Sequence, residues 1–474
     1  MDEHEFLVNF ILGPVYLCIT SPRPDGRDDM TLWRFVGSRS RSDVVGETCL
    51  TTLNNGLKIV SQSSQREDAR VALVIQCGTM YEGKEKFGAT ELVKRMAFYS
   101  TYKRSSGQIE LDLEKIGGCK SCSTSRDHMI YTIKGRKFDL PLMVDLLVDN
   151  VRNPVFFELE VQQKIQGMAE ASCEPRYLLL DALHAAGYIG ALANPVIAPK
   201  STLDRLNATT ALQFVTGNFT ASRMVLAASG VDHKELVKYV EPLVIDMPSV
   251  LLPKEAPSVY VGGQRHISAD SELTYIALAF ELPGGWQQLK HAITLMVLQI
   301  LLGGFQSGGG VDGRGKGLHS WPYVRVLNKY PAVESYTTFS SIYSDTGLFG
   351  IIVSTESKSI PQAVDVAVKE LICVTKPSGI VRKELKDAKL ATKGEIMKNL
   401  ESGVVELESM AKQVLMYGER IPLDQILETI DKISREDVAY VAQKLISSPL
   451  AMASLGEDFH VPAYESLSRL FHVK

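Results

Sequence analysis

FTASRMVLAASG, residues 219–230, follows the helix-like stretch TTALQFVTGN and carries it into a short apolar run that closes on Ser229 and Gly230. The same design returns near the end of the chain. There SREDVAYVAQK leads into ISSPLAMASLG (446–456), which closes on Ser454 and Gly456. The closing glycines are 226 residues apart. An amphipathic helix feeding a short apolar run bounded by turn residues reads as helix, then buried strand. A chain that writes this twice is built from two copies of one design.

Other elements recur in the same order. RVALVIQCGTMYE (70–82) reads as a strand and turn, followed by the helix GATELVKRMAFYS; LTYIALAFELPGG (273–285) is again a strand and turn, followed by LKHAITLMVLQILLGG. CSTSRDHMIYTIKG (122–135) alternates like a strand and leads to the helix FDLPLMVDLLVDNV. Its counterpart is TTFSSIYSDTGLFGIIVSTE (337–356) with IPQAVDVAVKELICVT, in which Val364, Ala367, Val368 and Leu371 fall on one face. The fold class is therefore α+β: two homologous domains, each an antiparallel sheet with helices packed on one side. We place an extension over 1–48, a first domain over 49–250, a linker over 251–262 and a second domain over 263–474. The linker lies in MPSVLLPKEAPSVYVGG (247–263), whose three prolines and lack of periodicity suit a connector between domains that face each other across a cleft.

Composition agrees. At 474 residues the chain exceeds one ordinary core, and 45 % apolar with 22 % charged residues describes a globular protein. A net charge of −4 argues against nucleic acid and for a cationic partner. The longest apolar stretch, FLVNFILGPVYLCI (6–19), is too short to span a bilayer and contains Asn9, Gly13 and Pro14. The acidic MDEHE before it is unlike the basic start of a secretory signal. Seven scattered cysteines fit a reducing compartment. Cys119 and Cys122 form one C-x-x-C, but in a strand, where positions three apart face opposite sides.

Two features bear on chemistry. The first is GGFQSGGGVDGRGKG (303–317). Gly310, Gly315 and Lys316 match the spacing of a Walker loop, yet Gly317 stands where Ser or Thr would bind magnesium, and the preceding HAITLMVLQILL reads as a buried helix rather than a strand. A dense glycine run keeps a loop mobile and allows close backbone approach to another chain. That suits a flap over an extended peptide, with Phe305 or Val311 touching its apolar side. The second feature is a missing one. A zinc peptidase of the inverted type needs H-x-x-E-H. In the helix after the first strand and turn the chain reads FGATE, and we set Phe87 and Glu91 at the histidine positions with Thr90 at that of the glutamate. Glu170 falls where a third ligand would lie. No bound metal and no catalytic residue are expected in this chain. His128, His184 and His319 read as packed or hydrogen-bonded side chains.

TTLNNGLKIVSQ, GATELVKRMAF, FTASRMVLAASGV, GKGLHSWPYVRVLNKY, YTTFSSIYSDTGLFGI, KNLES and VLMYGER carry a resemblance. The chain resembles the pitrilysin-like family of duplicated peptidases, in particular the plant-type alpha subunits of the mitochondrial processing peptidases, and is also similar to core proteins of respiratory complex III. The likeness runs from about Thr51 to the C-terminal region. It implies a subunit that binds no cofactor and pairs with a zinc-bearing beta subunit. It implies removal of basic presequence peptides at the matrix face of the inner membrane, with complex III subunits as further neighbours. The substrate-binding residues it implies are Gly303, Gly304, Phe305, Gly308, Gly309, Gly310, Gly313, Gly315, Lys316 and Gly317. Acids such as Glu334, Asp345 and Glu356 are expected beside the cleft. A purely structural core protein is the alternative.

Overall fold

Strand residues alternate between two faces, and in this chain the two faces of each sheet are written differently. In 71–75 the large Val71, Leu73 and Ile75 alternate with Ala72 and Val74; in 276–280 Ile276, Leu278 and Phe280 alternate with Ala277 and Ala279. One face carries bulky side chains and the other small ones, so each sheet is prepared for two unlike neighbours. The computed structural model describes residues 46, 48–63, 68–170, 174–249, 257–303, 325–326, 329–331, 333–457 and 460–471, and shows what those neighbours are.

The first half runs β1 (Thr48–Thr52), β2 (Lys58–Gln62), β3 (Asp68–Ile75), α1 (Ala89–Arg95), α2 (Ser106–Lys115), β4 (Cys119–Thr124), β5 (Met129–Arg136), α3 (Leu140–Arg152), α4 (Glu158–Glu170), α5 (Pro175–Gly187), β6 (Tyr188–Ile189), α6 (Lys200–Leu203), α7 (Ala208–Asn218), β7 (Met224–Ser229) and α8 (His233–Val244). The second runs β8 (Val259–Tyr260), β9 (Gly263–Ile267), β10 (Thr274–Glu281), α9 (Leu289–Leu301), β11 (Val333–Ile342), β12 (Gly347–Thr355), α10 (Ile360–Cys373), α11 (Arg382–Glu401), α12 (Val404–Tyr417), α13 (Leu423–Lys432), α14 (Arg435–Ile446), β13 (Ala451–Leu455) and α15 (Tyr464–Phe471).

The two large sheets are β1-β2-β7-β3-β5-β4 and β9-β13-β10-β12-β11, so the second repeats five strands of the first in the same spatial order, and β6 pairs with β8 in a small third one. In each, all pairings are antiparallel except one, β2 with β7 and β9 with β13. The duplication extends to single residues. Gly230 and Gly456 both have positive φ, +81° and +120°, a backbone that favours glycine. Each N–H donates back across the parallel pair, to the Gln62 and Ile267 carbonyls.

The bulky face of each sheet meets helices of its own half. Val71, Leu73, Ile75, Tyr131 and Leu226 pack with α3 and α8, and Ile276, Leu278 and Phe280 pack with α9, α10 and α14. The small face takes one helix from the other half. Leu179, Ala182 and Leu183 of α5 pack on Ala277, Ala279, Ala451 and Ala453, while Leu407, Met410, Ala411 and Val414 of α12 pack on Val60, Ala72, Val74 and Ala227. Alanines on the central strands let each visiting helix approach closely. Polar contacts follow the same exchange. Arg420 donates to Gln62 and to Thr48 Oγ1 (3.1 Å) of the first half. His184 lies fully buried on α5; Nδ1 donates to the Leu180 carbonyl at 2.7 Å, which leaves Nε2 to accept from the Tyr343 hydroxyl at 2.8 Å. Burial and the Arg126 charge push its pKa well down, so it stays neutral. The halves therefore interlock, beyond the face-to-face arrangement across a cleft that the sequence predicts.

Two elements differ from their sequence reading. The stretch 122–135 is a hairpin, β4 and β5, turned by Ser125, whose hydroxyl accepts from the His128 N–H at 3.0 Å. The helix expected to run through GATELVKRMAFYS stops at Arg95, because Phe98 turns into the core with a left-handed φ of 59°. Its N–H donates to Asn150 Oδ1 (2.8 Å) and its ring meets Tyr131 edge-on at 5.9 Å. Cys119 and Cys122 lie in β4 as thiols rather than as a disulfide, the first exposed and the second half-buried. No described helix is long and apolar enough to cross a membrane.

Candidate functional site

Helix α1 decides the chemistry, and its first residue decides the reading of α1. Gly88 precedes it with a φ of +99°, and Phe87, in extended backbone before that, lies outside the helix. Helix positions i and i+4 share a face; Phe87 cannot share one with Glu91. This corrects the assignment of Phe87, Thr90 and Glu91 to the H-x-x-E-H positions. Within the helix, the i, i+3, i+4 set that an inverted H-x-x-E-H helix presents is Glu91, Lys94 and Arg95. Thr90 is buried in the first turn.

A residue that the sequence reading passed over places the helix start. Glu82 is buried, and its two carboxylate oxygens accept from the Gly88 N–H (Oε2, 2.9 Å) and the Thr90 N–H (Oε1, 2.6 Å). Two of the orphan donors of the first turn are thus satisfied by one side chain. Burial pushes this carboxyl up to about 7 against the pull of the amides, with the Glu91 charge adding to the rise. The Glu82 carbonyl also accepts from Asn194 Nδ2 (3.2 Å), as does that of Thr79 (2.8 Å), and the Thr202 hydroxyl donates to the Phe87 carbonyl at 3.0 Å. The loop before α1 is therefore pinned from both sides. An acid six residues ahead of a glycine was the available signal.

The charges on the α1 face pair with one another and leave an excess of one cation. Glu91 Oε1 accepts from Arg95 Nε at 2.7 Å, and its Oε2 lies 3.5 Å from Lys94 Nζ. Arg95 reaches α4, where a Cβ on Gly167 would stand 3.7 Å from its Nη1. Glu170, one turn further along α4, is exposed and accepts from Gln166 of its own helix at 2.8 Å. One carboxylate with two cations is the wrong donor set for zinc, which takes neutral imidazole, thiolate or carboxylate. No group of three or more potential ligands gathers among the described residues.

Of the loop residues, Gly303 ends α9 with a φ of +96°; Gly304, Phe305, Gly308, Gly309, Gly310, Gly313, Gly315, Lys316 and Gly317 lie outside the described residues, as do Val311 and His319. Glu334 and Glu356 are exposed at one end of the β11–β12 hairpin, where Val333 pairs with Thr355. Asp345 is exposed in the turn at the other end, roughly 30 Å away for strands of this length. The structure thus groups two of the three acids.

A duplicated sheet with exchanged helices and a charge-filled helix α1 can now be set beside known proteins. Residues 58–200 match the model of the insulinase family (peptidase family M16), and residues 205–391 match the M16 inactive domain. The chain belongs to peptidase family M16. Among M16 relatives it is 48 % identical to the mitochondrial-processing peptidase subunit alpha of Solanum tuberosum, over 90 % of this chain and 86 % of that one. It is 46 % identical to a probable subunit alpha-1 of Arabidopsis thaliana (89 % and 84 %), and 27 % identical to a subunit beta of Homo sapiens (89 % and 87 %). A chain of complex III from Candida albicans shares the M16 fold with a TM-score of 0.75, at 19 % identity, over 89 % of this chain and 99 % of that one. An M16 scaffold implies zinc, and the α1 residues of this chain do not fit it.

Proposed function

We propose that this chain is the non-catalytic, substrate-handling alpha subunit of a mitochondrial presequence-processing peptidase, working with a zinc-bearing beta subunit. The observation that carries the reading is Glu91, Lys94 and Arg95 at metal-helix spacing in an M16 scaffold that is nearly half identical to plant alpha subunits. A chain with that helix contributes to cleavage by what it holds. Presequences are basic and amphipathic, so a partner offers acids and a mobile apolar contact. Glu334 and Glu356 supply two neighbouring acids, and the glycine-rich segment Gly303–Gly317 supplies the apolar contact, with Phe305 or Val311 on the precursor's apolar side. The place of work is the matrix, at the inner membrane.

The fold shared with a complex III chain favours a second role as a core subunit of that complex. Purification from solubilised membranes separates the cases: cytochromes and presequence cleavage co-purify if both roles hold, and cytochromes alone if the chain is purely structural.

The loop carries a direct test. In a reconstituted pair, deleting Gly308–Gly310 weakens precursor binding by about tenfold, some 1.4 kcal/mol, while the partner keeps its zinc. Unchanged precursor affinity contradicts the loop's role.

A further inference from the structure

Helix α4 lies against α1, with Leu92, Val93 and Met96 in one apolar cluster with Val161 and Ile165. Three observations show what joins the two helices at their polar edge. Glu91, Lys94 and Arg95 share one face of α1, and the carboxylate sits between the two cations, at 2.7 Å from Arg95 Nε and 3.5 Å from Lys94 Nζ. The far end of Arg95 lies over α4, with Nη1 3.7 Å from the Cβ position of Gly167. Gly167 is an interior residue of a 13-residue helix, where glycine is less favourable than alanine. An added Cβ there would meet Nη1 at ordinary van der Waals distance, so a side chain longer than alanine would reach the guanidinium.

We infer that Arg95 is a built-in cation at a metal-ligand position of α1, held by Glu91 on one side and lying against α4 at Gly167 on the other. A guanidinium is charged at every accessible pH and presents a flat fork of donors. It can therefore hold Glu91 and lie against α4 without a ligand to gain or lose. Two consequences follow. The α1–α4 junction is indifferent to chelators, since nothing at it dissociates. It also excludes a divalent cation, because Lys94 and Arg95 outweigh the one carboxylate. The inference concerns the scaffold and stands independently of precursor handling.

The test uses the full chain and has two arms. In the first, Arg95→Met keeps the length of the side chain and removes the charge. Amide exchange in α1 and along α4 near Gly167 speeds up by about fivefold, and Tm falls. Lys94→Met, which removes the cation further from Glu91, leaves exchange in α4 unchanged. In the second arm, zinc alone is the probe. The variant Glu91→His, Lys94→Glu, Arg95→His, Gly167→Glu takes up about one zinc per chain, and its Tm rises with zinc as mass action requires. The variant Phe87→His, Thr90→Glu, Glu91→His, Gly167→Glu takes up none, because Phe87 is outside the helix. Far-ultraviolet circular dichroism checks that each is folded, and Arg95→Met carries the test by itself if a fourfold variant is not. Unchanged exchange in Arg95→Met, or zinc uptake by the second fourfold variant in place of the first, would overturn the inference.

Discussion

Truncating Leu183 to alanine lowers the unfolding free energy by about 2–5 kcal/mol and shifts the unfolding of both halves together. Leu183 belongs by sequence to the first half, yet it is fully buried on the sheet of the second, among Ala277, Ala279, Ala451 and Ala453. Those alanines offer no long side chain to collapse into the vacated volume, which places the cost toward the upper part of the range. Because α12 makes the reciprocal crossing onto Val60, Ala72 and Ala227, loosening one visiting helix weakens the interlock as a whole. Urea unfolding followed by probes in each half checks this. Coincident transitions moving to lower urea are expected. A shift confined to one half, or a cost no larger than that of Leu159→Ala at a position 74 % exposed, would show that the helix exchange is not what unites them.

Glu82 gives the second large effect. Its carboxyl is raised from the ordinary carboxylate range to about 7 in the folded chain. The folded state thus holds a proton that the unfolded state has already released. By linkage, the stability this group contributes is fully present below about pH 4.5 and is lost as pH rises through 7. At 1.36 kcal/mol per unit the loss is about 3 kcal/mol across the window. The difference in unfolding free energy between the wild type and Glu82→Gln, measured at intervals from pH 4.5 to 8, isolates the term from every other titrating group. It should fall steadily with pH for the wild type relative to the variant. A flat difference would mean that Glu82 titrates normally and that its burial against the α1 amides is not as described.

These two residues also show what the sequence made legible and what it hid. The duplication was readable because matched elements recur in order, down to Gly230 and Gly456, whose positive φ angles and shared hydrogen bond repeat the match in three dimensions. The helix α9 before the glycine run was readable from its apolar character on every side. The exchange of α5 and α12 was hidden because a helix's apolar face does not say which sheet it covers. The alternating alanines of β10 and β13 marked a close-packed face without naming the helix. The metal positions were misplaced by one turn because the reading began the helix at Phe87. An acid capping a helix from six residues upstream leaves no short motif, and without Glu82 the start of α1 slides. Counting charges at i, i+3 and i+4 finds Glu91, Lys94 and Arg95, but such a triplet reads as an ordinary solvated face until α4 is laid against it.

The central claim is that this M16 chain has exchanged metal chemistry for internal charge and acts through a partner. The direct measurement is zinc content and cleavage of a presequence peptide, for the purified chain and for the chain mixed with a zinc-bearing beta subunit. The account predicts neither zinc nor cleavage for the chain by itself, and cleavage with about one zinc per pair for the mixture, since a catalytic zinc activates water from three protein ligands. Cleavage by the isolated chain that a chelator abolishes would contradict it.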